Sequence, residues 1–201
     1  MEARGATDDE TLAARAAAGE AASLEELVLR YQERVYRLAL RLTGDPSDAA
    51  DVLQESFLAI CRNLGGFRGE ARFSTWLYRI TTNAALMHRR ARARRPTESL
   101  ERFLPSFEDS GRHAATPDAL RTVCRIEEVL DRRTLAGRAR EGLERLPEGY
   151  RAAFVLRDLE ELPTAEVGEI LGLAPAAVRQ RVHRARLMLR GFLNELPETK
   201  P

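Results

Sequence analysis

Cysteine is nearly absent: Cys61 and Cys124 are the only two in 201 residues, with no CxxC pair and no histidine at ligand spacing. That excludes a disulfide framework, gives no support to a zinc site, and fits a reduced, cytoplasmic setting. Lysine is scarcer still. Lys200 stands alone among 32 basic residues, and the other 31 are arginine. GC-rich coding accounts for such a bias, and arginine's bidentate grip on phosphate and guanine makes it compatible with nucleic-acid work. No stretch approaches about 18 uninterrupted apolar residues, and residues 1–10 are acidic, so neither a spanning helix nor a signal peptide is expected and no membrane insertion follows. The three histidines and two cysteines are scattered, and no phosphate-cradling glycine motif occurs. No metal, cofactor or catalytic constellation can be assembled from them, so an enzyme is not expected.

Strand-like alternation of Val, Ile and Thr is also missing, while apolar residues recur at helical spacing almost everywhere. The chain reads as all-α. Its formal net charge of +1 carries no message as a total but conceals strong local imbalance. Residues 1–60 carry −6, residues 61–95 carry +8, residues 96–157 are neutral, residues 158–178 carry −5 and residues 179–190 carry +5. Two short basic blocks therefore lie inside a neutral average.

The first helix is expected over 8–18 with Gly19 as its stop, and the second over 21–42, burying Leu24, Leu27, Val28, Tyr31, Val35, Leu38, Ala39 and Leu42 before Gly44. Asp45-Pro46 supplies an N-cap and a first-turn proline for a third helix over 46–64. Its buried side is read as Ala49, Leu53, Phe57, Ile60 and Leu64, and its opposite side as Asp51, Gln54, Glu55 and Leu58. After a glycine-containing loop, a fourth helix over 73–95 buries Phe73, Trp76 or Leu77, Ile80, Ala84 and Met87. Arg89, Arg90, Arg92, Arg94 and Arg95 crowd its end, more than a helix dipole requires. Residues 96–115 lose all apolar period and read as a linker; helices over 116–133, 135–146, 147–159, 164–171 and 175–192 follow. Two small helical domains joined by a flexible linker result.

The last two of these helices, with Gly172-Leu173-Ala174 between them, read as a helix-turn-helix. Val178, Val182, Ala185 and Leu189 form the apolar stripe of the second, leaving Arg179, Gln180, Arg181, His183, Arg184, Arg186 and Arg190 off it. A solvated charged face would mix signs at i, i+4, yet no acid falls between Arg179 and Arg190. DNA binding in the major groove is the better reading, with arginine bridging guanine and glutamine bridging adenine. In the first basic block, Phe67, Arg68, Arg72, Phe73, Trp76, Tyr78, Arg79 and Asn83 place aromatics beside arginines, as single-stranded DNA requires. Phe73, Trp76, Leu77 and Ile80 read instead as core at helical spacing, whereas Phe67, Arg68 and Arg72 lie off that stripe.

The run Asp48-Ala-Ala-Asp-Val-Leu-Gln-Glu-Ser-Phe57, then Phe73-Ser-Thr-Trp-Leu-Tyr-Arg-Ile-Thr-Thr-Asn83, then Leu146-Pro147-Glu-Gly-Tyr-Arg151, then Arg181-Val-His-Arg-Ala-Arg186 resembles the extracytoplasmic-function sigma factors of bacterial RNA polymerase, over about residues 8–193. The resemblance implies a four-helix region 2 domain over 1–95, a linker over 96–115 and a region 4 helix-turn-helix domain over 116–201. It implies that Asp51, Gln54 and Glu55 bind the β′ clamp helices of core polymerase, with the β flap as a second contact. It places Phe67, Arg68, Arg72, Arg79, Asn83, Arg89 and Arg90 at the minus-10 element and its melted strand. Arg179, Gln180, His183 and Arg184 would face minus-35 bases, while Arg181 and Arg186 would contact phosphates. Pro163 departs from the capping serine common in the family, and Ala176-Ala177 from its Gly-Thr or Gly-Ser. Many members are held by an anti-sigma factor that covers the polymerase-binding surfaces.

Two other readings predict different behaviour. A stand-alone helix-turn-helix regulator would bind a palindromic operator as a dimer without polymerase. A helical decoy that only holds polymerase or an anti-sigma protein would leave Arg179 and Arg184 dispensable. Cys61, beside the buried stripe, and Cys124 read as small apolar packing residues.

Overall fold

The structure, a computed structural model, describes residues 7–67, 69, 71–92 and 132–195. The expected linker over 96–115, the helix from 116 up to residue 131, and Arg68, Arg94, Arg95 and Cys124 lie outside the described residues. Every described element is helical, and the chain divides into two compact units.

The first unit contains α1 (Asp9–Ala17), α2 (Ala21–Thr43), α3 (Pro46–Asn63) and α4 (Phe73–Arg92), with a 3-10 turn (Leu64–Gly66) after α3. Local chemistry sets the ends of these helices. The Asp8 carboxylate accepts the Thr11 N–H at 2.9 Å, and Asp45 accepts the N–H groups of Ser47 and Asp48 at 2.8 and 3.1 Å. Each cap satisfies amides that the first turn leaves without partners. Between α2 and α3, Gly44 takes φ 82°, a left-handed conformation that a Cβ would oppose, and its N–H donates to the Leu40 carbonyl.

Helix α2 packs on α1, α3 and α4, and α3 packs on α4. Leu27, Tyr31, Val35, Leu38 and Leu42 of α2 meet Leu12, Ile60, Phe73 and Leu77 in a closed core. Each large side chain there contributes about 1.5–3 kcal/mol by leaving water. The short α1 needs more than its own propensity, and receives it from α2: Arg30 donates to the Asp9 carboxylate at 2.8 Å and to the Thr7 carbonyl at 2.7 Å. The Tyr31 hydroxyl donates to the same carboxylate, and burial holds its pKa well above the ordinary tyrosine value, so the donor keeps its proton.

The buried side of α3 differs from the expectation. Val52 and Ser56 join Ala49 and Ile60 in the core, while Leu53 and Phe57 are half-buried at its flank. Ser56 is tolerated there because its hydroxyl donates to the Val52 carbonyl at 2.6 Å, leaving no unsatisfied polar group. Cys61, expected to pack, is exposed. Met87, placed on the buried stripe of α4, is 65% exposed.

In the second unit, α5 (Arg132–Arg145) and α6 (Glu148–Phe154) pack against α8 (Pro175–Glu195). Helix α7 (Thr164–Leu171) precedes α8 in chain order. Leu146, Ala185 and Met188 form the centre, flanked by Leu143, Tyr150, Phe154 and Leu189. Close approach of α5 to α8 depends on Gly142, where a Cβ would lie 2.9 Å from the Phe192 ring. The Arg145 guanidinium covers that ring at 4.5 Å, a cation–π contact. Arg151, 1% exposed, donates to the Leu146 carbonyl at 3.4 Å and so braces the α5–α6 turn. The helix expected over 147–159 ends differently: from Val155 to Leu159 it widens into a π turn, with the Glu160 N–H donating to the Val155 carbonyl at 2.9 Å.

Candidate nucleic-acid and partner interfaces

Asp51, Gln54, Glu55 and Leu58 lie at i, i+3, i+4 and i+7 of α3 and are all exposed, so they form one continuous stripe. Leu58, 54% exposed, gives the stripe an apolar end beside its carboxylates. Glu55 is oriented by α4, whose His88 Nε2 lies 3.1 Å from its carboxylate. A face of two carboxylates, an amide and a leucine suits an arginine-bearing helical partner.

Along α4 a second stripe runs through Arg72, Trp76, Arg79, Asn83, Met87 and Arg90, at successive spacings of three or four residues. Trp76 is half-buried and the other five are exposed. The structure thus brings Arg72, Arg79, Asn83 and Arg90 onto one surface. Phe67 stands at its N-terminal end, packed edge-on against Phe73 at 5.9 Å and tilted against Trp76 at 5.3 Å. Phe73 is fully core, T-shaped against Tyr31 at 5.5 Å. Sequence reasoning missed Met87 as a surface residue. The signal was present: Met87 falls four residues after Asn83, on the polar stripe rather than the apolar one.

The basic end of α4 is less uniform than its composition suggests. Arg92 pairs with Asp45 at 3.1 Å and also with Asp48, tying α4 to the start of α3, and those carboxylates hold its guanidinium charged. Arg89 donates to the Leu42 carbonyl at 3.4 Å and is half-buried. Arg90 remains exposed on the stripe.

Toward the C-terminus the helix–turn–helix order is as expected, with α7 bounded at 164 and 171 and Gly172 at φ 65°. Val167 and Ile170 are buried, and Pro175 opens α8 despite the alanines at 176 and 177. Val178, Val182, Ala185, Met188 and Phe192 bury one side of α8. Directly away from them stand Arg179, Gln180, His183 and Arg190, all exposed. Arg181 and Arg184 are half-buried at the edge toward α6, where Arg184 donates to the Tyr150 hydroxyl at 3.4 Å. Arg186 is held in a two-point ion pair with Asp158 at 2.7 and 2.8 Å. The π turn carries Asp158, whose side chain is 16% exposed against 51% for Arg186. Arg186 therefore braces α8 in this structure. Among the described residues no cluster of candidate metal ligands occurs, and no helix is long and apolar enough to cross a membrane.

Comparison with known proteins gives the chain that carries these surfaces a family. Residues 27–95 match the sigma-70 region 2 model and residues 137–189 match the sigma-70 region 4 model. These matches define a sigma-70 family protein with region 2 in the N-terminal half and region 4 in the C-terminal half. The chain is 34% identical over 178 residues to the RNA polymerase sigma-H factor of Pseudomonas aeruginosa, spanning 89% of this chain and 90% of that protein. It is 34% identical over 194 residues to the ECF RNA polymerase sigma-E factor of Haemophilus influenzae, spanning 94% and 96%. The solved structure of CnrH in complex with the cytosolic domain of CnrY superposes with a TM-score of 0.66 at 26% identity, covering 92% of this chain and 97% of that one. Within the sigma-70 family, the chain belongs to the extracytoplasmic-function group.

Proposed function

We propose that the two units divide the work of an RNA polymerase sigma factor between one protein-facing surface and two DNA-facing surfaces. As a family, sigma factors are DNA-binding regulators of transcription initiation rather than enzymes. In this reading Asp51, Gln54, Glu55 and Leu58 dock on the β′ clamp helices, where carboxylates meet basic side chains and Leu58 supplies a desolvated contact. Arg72, Arg79 and Arg90 follow the backbone of the minus-10 strand, while Asn83 contacts a base edge. Phe67 and Trp76 offer ring faces to an unstacked base, which offsets the few kcal/mol that flipping costs. Met87 adds an apolar surface one turn beyond Asn83. Arg179, Gln180 and His183 read minus-35 base edges in the major groove. The β flap is the expected contact of the second unit, and an anti-sigma factor is the expected competitor for the polymerase-facing stripe.

The single observation that carries this reading is the separation of charge by face: an acidic stripe on α3, an arginine and asparagine stripe on α4, and an arginine row on α8. The stand-alone regulator has no use for the first of these. The test is reconstitution of the purified chain with core RNA polymerase on a genomic fragment library, read as run-off transcripts. Promoter-dependent transcripts are expected; their absence with active core would overturn the proposal.

A further inference from the structure

The two acidic residues that open α1 reach different helices. Asp9 accepts from Arg30 at 2.8 Å and from the Tyr31 hydroxyl, both on α2. Glu10 Oε1 accepts the Phe73 N–H, the first amide of α4, at 3.4 Å. Such an amide has no partner within its own helix, and the first turn of α4 holds no acid to supply one. Consecutive carboxylates therefore hold Tyr31 and Phe73, whose rings are themselves in contact, T-shaped at 5.5 Å. Phe73 in turn lies 5.9 Å from the Phe67 ring and 6.0 Å from Trp76, and those two are 5.3 Å apart. One connected set of rings thus runs from the buried Tyr31 out to the half-buried Phe67 and Trp76. Helix α1 also packs on the 3-10 turn, whose Leu64 carbonyl accepts the Phe67 N–H at 3.0 Å. Glu10 is exposed, while Leu12 and Ala13 carry the burial of α1, so core packing does not call for a carboxylate at position 10.

We propose that Glu10 is a positioning residue for the Phe67 and Trp76 ring pair, holding the start of α4 while Asp9 fixes α1 to α2. It touches no DNA and acts through Phe73. That role rests on the sigma-factor reading, in which the two rings stack on an unstacked base. Stacking needs ring faces at a set spacing and angle, and the groups behind them decide how firmly they are held. The competing account is local: Glu10 also lies in the first turn of α1, where a negative charge favours the positive end of that helix's own dipole. Glutamine separates the two, because it loses the charge and keeps an accepting oxygen.

In the experiment, holoenzyme made with the full chain is titrated with a single-stranded oligonucleotide carrying the minus-10 element of a promoter recovered with the wild type. The same strand made abasic at each position in turn is titrated alongside. The ratio of the two affinities reads stacking on the missing base and is unaffected by the fraction of chain that folds. The wild type should prefer the intact strand by about tenfold at one position. Glu10→Ala should reduce that ratio to about threefold or less with affinity for the abasic strand unchanged, and Glu10→Gln should restore it. An unchanged ratio in Glu10→Ala, or an equal loss in Glu10→Gln, overturns the proposal. Trp76 is the one tryptophan of the chain, so acrylamide quenching of its emission in the free protein follows the ring pair without polymerase or DNA. Quenching should rise in Glu10→Ala and not in Glu10→Gln; no rise overturns the proposal. Absence of wild-type transcripts, by contrast, removes the sigma-factor reading and leaves the quenching result to decide whether Glu10 holds the rings.

Discussion

Helices α3 and α8 are both amphipathic, each with one buried stripe, yet their exposed sides have opposite charge and opposite dependence on their neighbours. On α3, Asp51, Gln54 and Glu55 are exposed, while α4 reaches across with His88 to Glu55 and with Arg92 to Asp48. The acidic stripe is thus part of a mixed-sign surface within the first unit. On α8, Asp158 engages Arg186 from the π turn, and the outward row of Arg179, Gln180, His183 and Arg190 has no acid in its own segment. In the proposed function the difference lets one architecture serve two kinds of partner. There a protein partner would meet a stripe that combines charge with an exposed leucine, whereas a polyanion would meet cations of one sign on a helix narrow enough for a groove.

The largest expected effect is on the α3 side. Asp51→Arg should weaken affinity for core polymerase by about 2–3 kcal/mol, roughly 30- to 160-fold, with minus-35 preference unchanged. Binding titrations with core and promoter-selection assays would check the two halves of that statement. Arg179→Ala should do the converse, lowering discrimination at one minus-35 position by about 1–3 kcal/mol and leaving core affinity alone. Loss of core affinity in Arg179→Ala would erase the distinction between the faces.

Smaller effects sharpen the comparison through stability. Gly142→Ala forces a methyl against Phe192 and Leu189; overpacking of about 1–3 kcal/mol outweighs a helix-propensity gain of roughly 1 kcal/mol, for a net loss near 1 kcal/mol. Thermal unfolding followed by hydrogen exchange should show that loss in the second unit and none in the first. The first unit has an acid-sensitive feature of its own. Both cap carboxyls are held below their ordinary pKa, Asp8 chiefly by the Thr11 hydroxyl and Asp45 chiefly by the Asp48 N–H. A depressed folded pKa means stabilisation that is present above the unfolded value of about 4 and lost as pH falls through the folded one. The doubly substituted Asp8→Asn, Asp45→Asn chain should therefore show a shallower decline of first-unit stability over that window.

Much of this was readable from the sequence where a local rule decides. Gly44 followed by Asp45-Pro46 set the α2–α3 junction, and α7 falls on residues 164–171 as its spacing predicts, because caps, glycine turns and apolar period act within a few residues. Where packing between elements decides, the reading erred. Ser56 is buried and Phe57 is not fully so, since the contact with neighbouring helices favours a small side chain whose hydroxyl can bond its own helix. Met87 follows the helical angle of the polar stripe, although hydropathy alone assigns it inward. The Asp158–Arg186 pair spans 28 residues and depends on a π turn that no feature of the sequence marks, so the brace it gives α8 was not legible. Likewise, the placement of Arg181 and Arg184 beside Tyr150 requires the α6–α8 contact to be known.

The central claim is that the protein-facing and DNA-facing surfaces work independently. The most direct measurement is a double-mutant cycle on holoenzyme with Asp51→Arg and Arg179→Ala, scored for core affinity and minus-35 discrimination in the same preparation. The account predicts additivity within about 0.5 kcal/mol in both readouts: core affinity of the double variant equals that of Asp51→Arg, and its discrimination equals that of Arg179→Ala. A coupling well beyond that margin would contradict it.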